Sequence, residues 1–151
     1  MGRILAIDYG TKRVGIATTD PLQIIATGLT TVHPNELFEF LKEYMKTETV
    51  DCIVVGDPKR LNNEPAQAAA GANLLASKIQ KEFPDLKIDR MDERFTSKMA
   101  FSAMIEGGLK KKARANKALV DKVSATIILQ SYMEQMNSLN REWVRIEFYQ
   151  L

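Results

Sequence analysis

Residues 3–17 read Arg3-Ile4-Leu5-Ala6-Ile7-Asp8-Tyr9-Gly10-Thr11-Lys12-Arg13-Val14-Gly15-Ile16-Ala17. Two short apolar runs flank a polar link, Asp8 to Arg13. Strands joined so closely form a β-hairpin. Asp8 closes the first run and opens the link. A carboxylate at a strand tip, beside a glycine that permits close backbone approach, suits a metal ion or a phosphate. An Asp that helps to form the turn accounts for the residue equally well.

Outward from the hairpin, strands are expected at 3–8, 13–19 and, in a β-branched segment, 24–32. Pro34-Asn35-Glu36 starts a helix to about residue 47, with Leu37, Phe38, Phe40, Leu41, Tyr44 and Met45 at helical spacing. Residues 50–55 are apolar throughout, as in a strand covered on both faces. Gly56-Asp57-Pro58 ends it, and the polar loop 57–64 leads to an Ala-rich helix over 65–83, with Pro65 in its first turn. A fifth strand spans 86–91. Thr96 or Ser97 caps a helix to about Ile105, and Gly107-Gly108 stops it. Residues 108–116 are expected to be mobile, and a last helix to run over about 117–136.

The order is βββ, α, β, α, β, α, α. It predicts an α/β protein with a mixed five-stranded sheet, three antiparallel strands followed by βαβ units, and helices on both faces. Residues 1–138 form one domain. The tail 139–151 alternates in part from Glu142 to Tyr149, which fits either an added strand or a docking segment.

At 151 residues, one hydrophobic core is the simplest organisation. The apolar share of 45% and charged share of 26% are those of a soluble globular protein. A net charge of +2 leaves nucleic-acid binding to local clusters of charge. A single cysteine, Cys52, excludes an internal disulfide framework and reads as a small buried thiol within a strand. The first residues enter a strand without the basic and apolar regions of a leader, and no stretch suits a membrane span. The expected location is the cytoplasm, with no membrane partner.

Three acids stand out. Asp8 ends the first strand, Glu93 follows the fifth, and Asp121 lies near the start of the last helix. At helical spacing Asp121 shares a stripe with Ala125, Ile128 and Tyr132, a face expected to pack on the sheet. A carboxylate there is costly without a partner or a metal. Taken singly, each has a plain explanation: Asp121 compensates a helix dipole, and Glu93 pairs with Arg94 or occupies a first helical turn. Together they gather acids at two strand ends and a helix start, and the carboxyl ends of parallel strands are where such sheets bind ligands.

Four motifs in register carry a resemblance that extends from residue 3 to about 136: Asp8-Tyr9-Gly10-Thr11-Lys12-Arg13-Val14-Gly15-Ile16-Ala17, Val54-Val55-Gly56-Asp57-Pro58, Asp92-Glu93-Arg94-Phe95-Thr96-Ser97 and Val120-Asp121-Lys122-Val123-Ser124-Ala125. The chain resembles the YqgF/RuvX family. The resemblance implies a ribonuclease H-like fold and a nuclease, described either as maturing the 5′ end of pre-16S rRNA in ribosome biogenesis or as resolving Holliday junctions. It further implies that Asp8, Glu93 and Asp121 are the catalytic acids and hold two Mg²⁺ or Mn²⁺ ions, so that no histidine base is required. The single histidine, His33, precedes a proline in a loop. The chain departs from the family pattern at Asp57, usually apolar, at Asn62-Asn63, usually Asp-Gly, and at Lys122, usually Ser.

Basic residues cluster near these motifs. Lys110, Lys111, Lys112, Arg114 and Lys117 occur without an intervening acid, and Lys12, Arg13, Lys59, Arg60, Arg94 and Lys98 fall at or near the same end of the sheet. Such residues bind phosphates independently of base sequence. A solvated loop accounts for 110–112 equally well. Tyr9 and Phe95 are the aromatics near the motifs; either could stack on a base, and Phe95 also suits a core.

The leading expectation is a metal-dependent nuclease for structured RNA, acting on pre-16S rRNA and so meeting the pre-ribosomal particle. Branched DNA is the alternative substrate. Two other classes fit part of the pattern. A phosphotransferase of the actin and sugar-kinase type also carries Asp-x-Gly-Thr between strands, but generally uses two such domains. A non-catalytic ribosome-assembly factor would bind RNA with little dependence on Asp8 or metal.

Overall fold

The computed structural model describes residues 2–57, 67–92 and 116–149, with side chains over the same spans except 67–69, 92 and 138–149. Strands β1 (Arg3–Tyr9), β2 (Val14–Thr19) and β3 (Ala26–Val32) lead through a 3₁₀ turn, Pro34–Glu36, into helix α1 (Leu37–Thr47). β4 (Val50–Asp57), α2 (Gln67–Glu82), β5 (Lys87–Asp92) and α3 (Lys117–Tyr149) follow among the described residues.

The strands form one sheet in the order β3-β2-β1-β4-β5. β1–β2 and β2–β3 are antiparallel, whereas β1–β4 and β4–β5 are parallel. This is the expected mixed five-stranded sheet, with β1 as the seam between its antiparallel and parallel halves.

The period-two alternation of strands divides the apolar residues between two cores. Leu5, Ile7, Ile53 and Val55 pack on one face against Leu37 and Leu41 of α1 and Leu75 and Ile79 of α2. Ile4, Ala6, Ala17, Cys52 and Val54 pack on the other against Ala125, Ile128, Leu129 and Tyr132 of α3. β4 is thus covered on both faces, which is why its sequence shows an apolar run in place of alternation.

Local chemistry sets the element ends. His33 Nδ1 accepts from the Asn35 N–H at 3.1 Å and so caps the 3₁₀ turn, the structural use of the chain's one histidine. Asn116 Oδ1 accepts from the N–H groups of Ala118 and Leu119 at 3.1 and 3.3 Å, capping α3. Tyr132 pins α3 to the sheet: its hydroxyl donates to Asp89 Oδ2 at 3.0 Å and lies 3.8 Å from Cys52 Sγ. At the far end of the hairpin, Asp20 accepts from the N–H groups of Leu22, Ile24 and Ile25, and these bonds hold its carboxyl below the usual carboxylate range.

One expectation needs correction. The last helix continues to Tyr149, so the backbone of residues 139–149 is helical and forms no added strand. Residues 137–149 contain no Gly or Pro to stop the helix. Val144 and Phe148, which suggested alternation, are also four apart in sequence, a spacing that suits a helix equally well. The expected helix to Ile105 lies outside the described residues, as does the expected mobile segment apart from Asn116. Among the described residues, no helix is long and apolar enough to cross a membrane.

Candidate metal centre and nucleic-acid edge

Asp8 stands at the carboxyl end of β1, with Gly15 of β2 as its cross-strand partner. Such partners project to the same face of the sheet. That face belongs to α3, because Ile4 and Ala6, the preceding even positions of β1, pack against that helix. Gly15 marks where the helix comes closest. A Cβ at Gly15 would run into the main-chain carbonyl of Asp121 and stand 3.2 Å from the Lys122 nitrogen. Asp8 therefore projects to the side of the sheet where the first turns of α3 lie, and the bare glycine between them allows the approach. Gly56 and Met91 are level with this end of β1 across the parallel strands.

Asp121 is held by an arginine. Arg13 Nε donates to Asp121 Oδ2 at 2.7 Å, with the arginine side chain 37% and the carboxylate 23% exposed. The hairpin link sets this contact. The Gly10 N–H donates to the Arg13 carbonyl at 2.9 Å, closing a turn that delivers Arg13 to the start of β2. Thr31 on β3 donates to the Ala118 carbonyl at 2.7 Å and fixes the first turn of α3 beside it. Lys122 does not compete for Asp121: its stem lies over β3 at Gly28.

The opposite face at this end is structural. The ring of Tyr9 packs against α2 at Gly71, where a Cβ would strike it. The ring is half-buried in this seat. Arg90 donates to Asn73 Oδ1 of α2 at 2.7 Å and to the Val55 carbonyl at 3.2 Å. Its guanidinium also lies 3.5 Å from Asp57 Oδ1. The unusual acid Asp57 thus joins a tie between β4, β5 and α2. Sequence reasoning missed Arg90, although an acid at the end of β4 was a signal that β5 would carry its partner.

Among the described residues, no three His, Cys, Asp or Glu side chains are grouped to hold a metal. Of the expected acids, Asp8 and Asp121 are brought to one side of the sheet. Glu93 lies just outside the described residues, one position after Asp92, which pairs with Asp57 at the end of β5. Lys12 is exposed in the hairpin link and Lys117 is exposed at the start of α3. Lys59, Arg60, Arg94, Phe95, Lys98, Lys110, Lys111, Lys112 and Arg114 lie outside the described residues.

A family model described as "RuvX: Holliday junction resolvase" matches residues 2–135. A protein of Christiangramia forsetii named "Putative pre-16S rRNA nuclease" is 54% identical over 133 residues, covering 88% of this chain and 98% of its own. Proteins of the same name from Flavobacterium psychrophilum and Phocaeicola vulgatus are 55% and 54% identical, covering 88% and 89% of this chain and 97% and 96% of their own. Among solved structures, RuvC of Thermus thermophilus in complex with a Holliday junction substrate aligns with a TM-score of 0.53 at 18% identity, covering 90% of this chain and 96% of that one. A second T. thermophilus RuvC structure gives a TM-score of 0.51 at 16% identity, covering 89% and 96%. The architecture is thus that of the ribonuclease H-like fold. On the family match and these relatives, the chain belongs to the RuvX (YqgF) nuclease family.

Proposed function

We propose that this protein is a divalent-metal-dependent nuclease for structured RNA, with the 5′ end of pre-16S rRNA in the pre-ribosomal particle as its substrate and the cytoplasm as its place of work. The observation that carries the reading is the convergence of Asp8 and the start of α3, with Asp121, on one side of the sheet through the Asp8–Gly15 pair. The relatives' shared name supplies the RNA substrate.

The donor set suits Mg²⁺ or Mn²⁺, which prefer carboxylate oxygens. Asp8 is carried by a central strand fixed by the ladders to β2 and β4, so the backbone that bears its carboxylate is well anchored. Asp121 is carried by a helix packed on the same sheet. Glu93, the third acid that the resemblance implies, follows directly on β5 in the sequence. Bound divalent ions supply water activation and charge stabilisation at the leaving oxygen in such chemistry. Lys12 and Lys117 bind substrate phosphates, joined by Lys59, Arg60, Arg94, Lys98, Lys110, Lys111, Lys112 and Arg114. Base identity is left to the shape of the RNA.

Resolution of four-way DNA is the second reading, favoured by the description of the matching family model. The test sets a pre-16S 5′-leader RNA beside a four-way DNA junction, each with and without Mn²⁺. Mn²⁺-dependent cleavage of the leader is the expected result. Cleavage of the junction alone selects the second reading. Metal-independent RNA binding without cleavage of either substrate identifies a non-catalytic assembly factor.

A further inference from the structure

Asp121 is paired with a cation. Arg13 was expected to meet a phosphate, yet its Nε lies 2.7 Å from the carboxylate oxygen of Asp121. The pair joins residues 108 positions apart and remains accessible to solvent on both sides. A guanidinium engaged through Nε retains four N–H donors for other acceptors. Its backbone is fixed by the Gly10–Arg13 turn, so the side chain can exchange partners without moving the strand.

We infer that Arg13 is a resident counter-cation of the metal centre, exchanged for the divalent ion. In the metal-free protein it neutralises and positions Asp121. When the ion takes the carboxylate, the guanidinium is released beside Lys12 and Lys117, on the edge where substrate phosphates arrive. Ion and nucleic acid then reinforce each other's binding, since each favours the state in which Arg13 has left Asp121. This exchange rests on the metal-dependent reading of the site and adds a positioning role for Arg13 within it. A bound phosphate is a fitting second partner, because a guanidinium pairs with carboxylate and phosphate through the same charge-assisted hydrogen bonds.

The test measures Mn²⁺ affinity by calorimetry on nucleic-acid-free wild type, R13A, R13K and D121N, with thermal melts to verify folding. R13A is expected to bind Mn²⁺ about twofold to fivefold more tightly than wild type, the scale of an accessible ion pair removed from competition. R13K retains the charge and stays within about twofold of wild type. Leader-RNA affinity, read by stopped-flow anisotropy ahead of cleavage, should tighten on Mn²⁺ addition in wild type and less so in R13A. Unchanged or weaker Mn²⁺ binding by folded R13A overturns the exchange and makes Arg13 a simple prop for Asp121. Tighter Mn²⁺ binding by R13A with undiminished RNA tightening overturns the transfer to phosphate. A wild type that binds no Mn²⁺, or a D121N protein that binds it fully, overturns the metal reading of this site and the exchange with it.

Discussion

Asp8 and Gly15 are paired across the first hairpin, and the missing side chain of Gly15 is what lets the Asp121 backbone approach the strand. A candidate catalytic acid is therefore coupled to the packing of a helix more than a hundred residues away in sequence. Gly15→Ala should force α3 away from β2, since the atom it meets is main chain and cannot rotate aside. Overpacking of this kind costs about 1–3 kcal/mol. Thermal melts should show a lower midpoint, and cleavage should fall by more than the loss of folded protein explains. Wild-type melting and cleavage in this variant would contradict the close approach.

Asp8→Asn should abolish cleavage while preserving the fold and most RNA affinity. Asn keeps the shape of Asp but removes the charge that attracts the cation. Affinity persists because it comes mainly from Lys and Arg contacts to phosphates. Single-turnover cleavage and salt-dependent binding separate the two effects. Cleavage at the wild-type rate would remove Asp8 from the mechanism.

Lys111→Ala combined with Lys112→Ala should weaken RNA binding and lower its salt dependence, with less change in cleavage at saturating RNA. Fluorescence anisotropy over a salt series measures this. An unchanged salt slope would reassign these lysines to the solvated surface.

Alkaline pH should loosen the attachment of α3. Burial pushes the Cys52 thiol above its ordinary 9.0 and the Tyr132 hydroxyl above its ordinary 10.0. Both groups hold their protons more firmly folded than unfolded. Their contribution is full below the unfolded values and is lost as pH rises through the folded ones. Denaturant midpoints should therefore decline above about pH 9, the unfolded thiol value. Cys52→Ala and Tyr132→Phe should each flatten that decline. At neutral pH, Tyr132→Phe should cost about 1 kcal/mol through the bond lost to Asp89. A decline of the same slope in both variants would place its cause elsewhere.

The hairpin, the mixed five-stranded sheet and the two-sided burial of β4 were legible in the sequence because turn chemistry, apolar runs and the succession of strands and helices are local signals. Asp8 was legible for the same reason, at the junction of an apolar run and a glycine-bearing link. The bond from Arg13 to Asp121 was not, since no local periodicity reports which cation meets which acid across the chain. Arg13 looked like one more basic residue beside a motif. The length of α3 was misread because Glu142 to Tyr149 satisfies strand and helix spacing together. Only the absence of a stop signal favoured the helix. The packing of Tyr9 against Gly71 was hidden likewise: neither residue announces the other, and an aromatic beside a motif suggests a ligand as readily as a neighbouring helix.

Cys52 turns the interior of this protein into a chemical clock. It is the chain's single thiol, 5% exposed and placed between β4 and α3. Thiolate attack on a disulfide reagent requires both access and deprotonation, and burial opposes both. Labelling of the native protein must therefore wait for the sheet and helix to part. Under fast reclosing, its rate divided by that of an exposed thiol reports the population of that opening, without a mutation or a bound substrate.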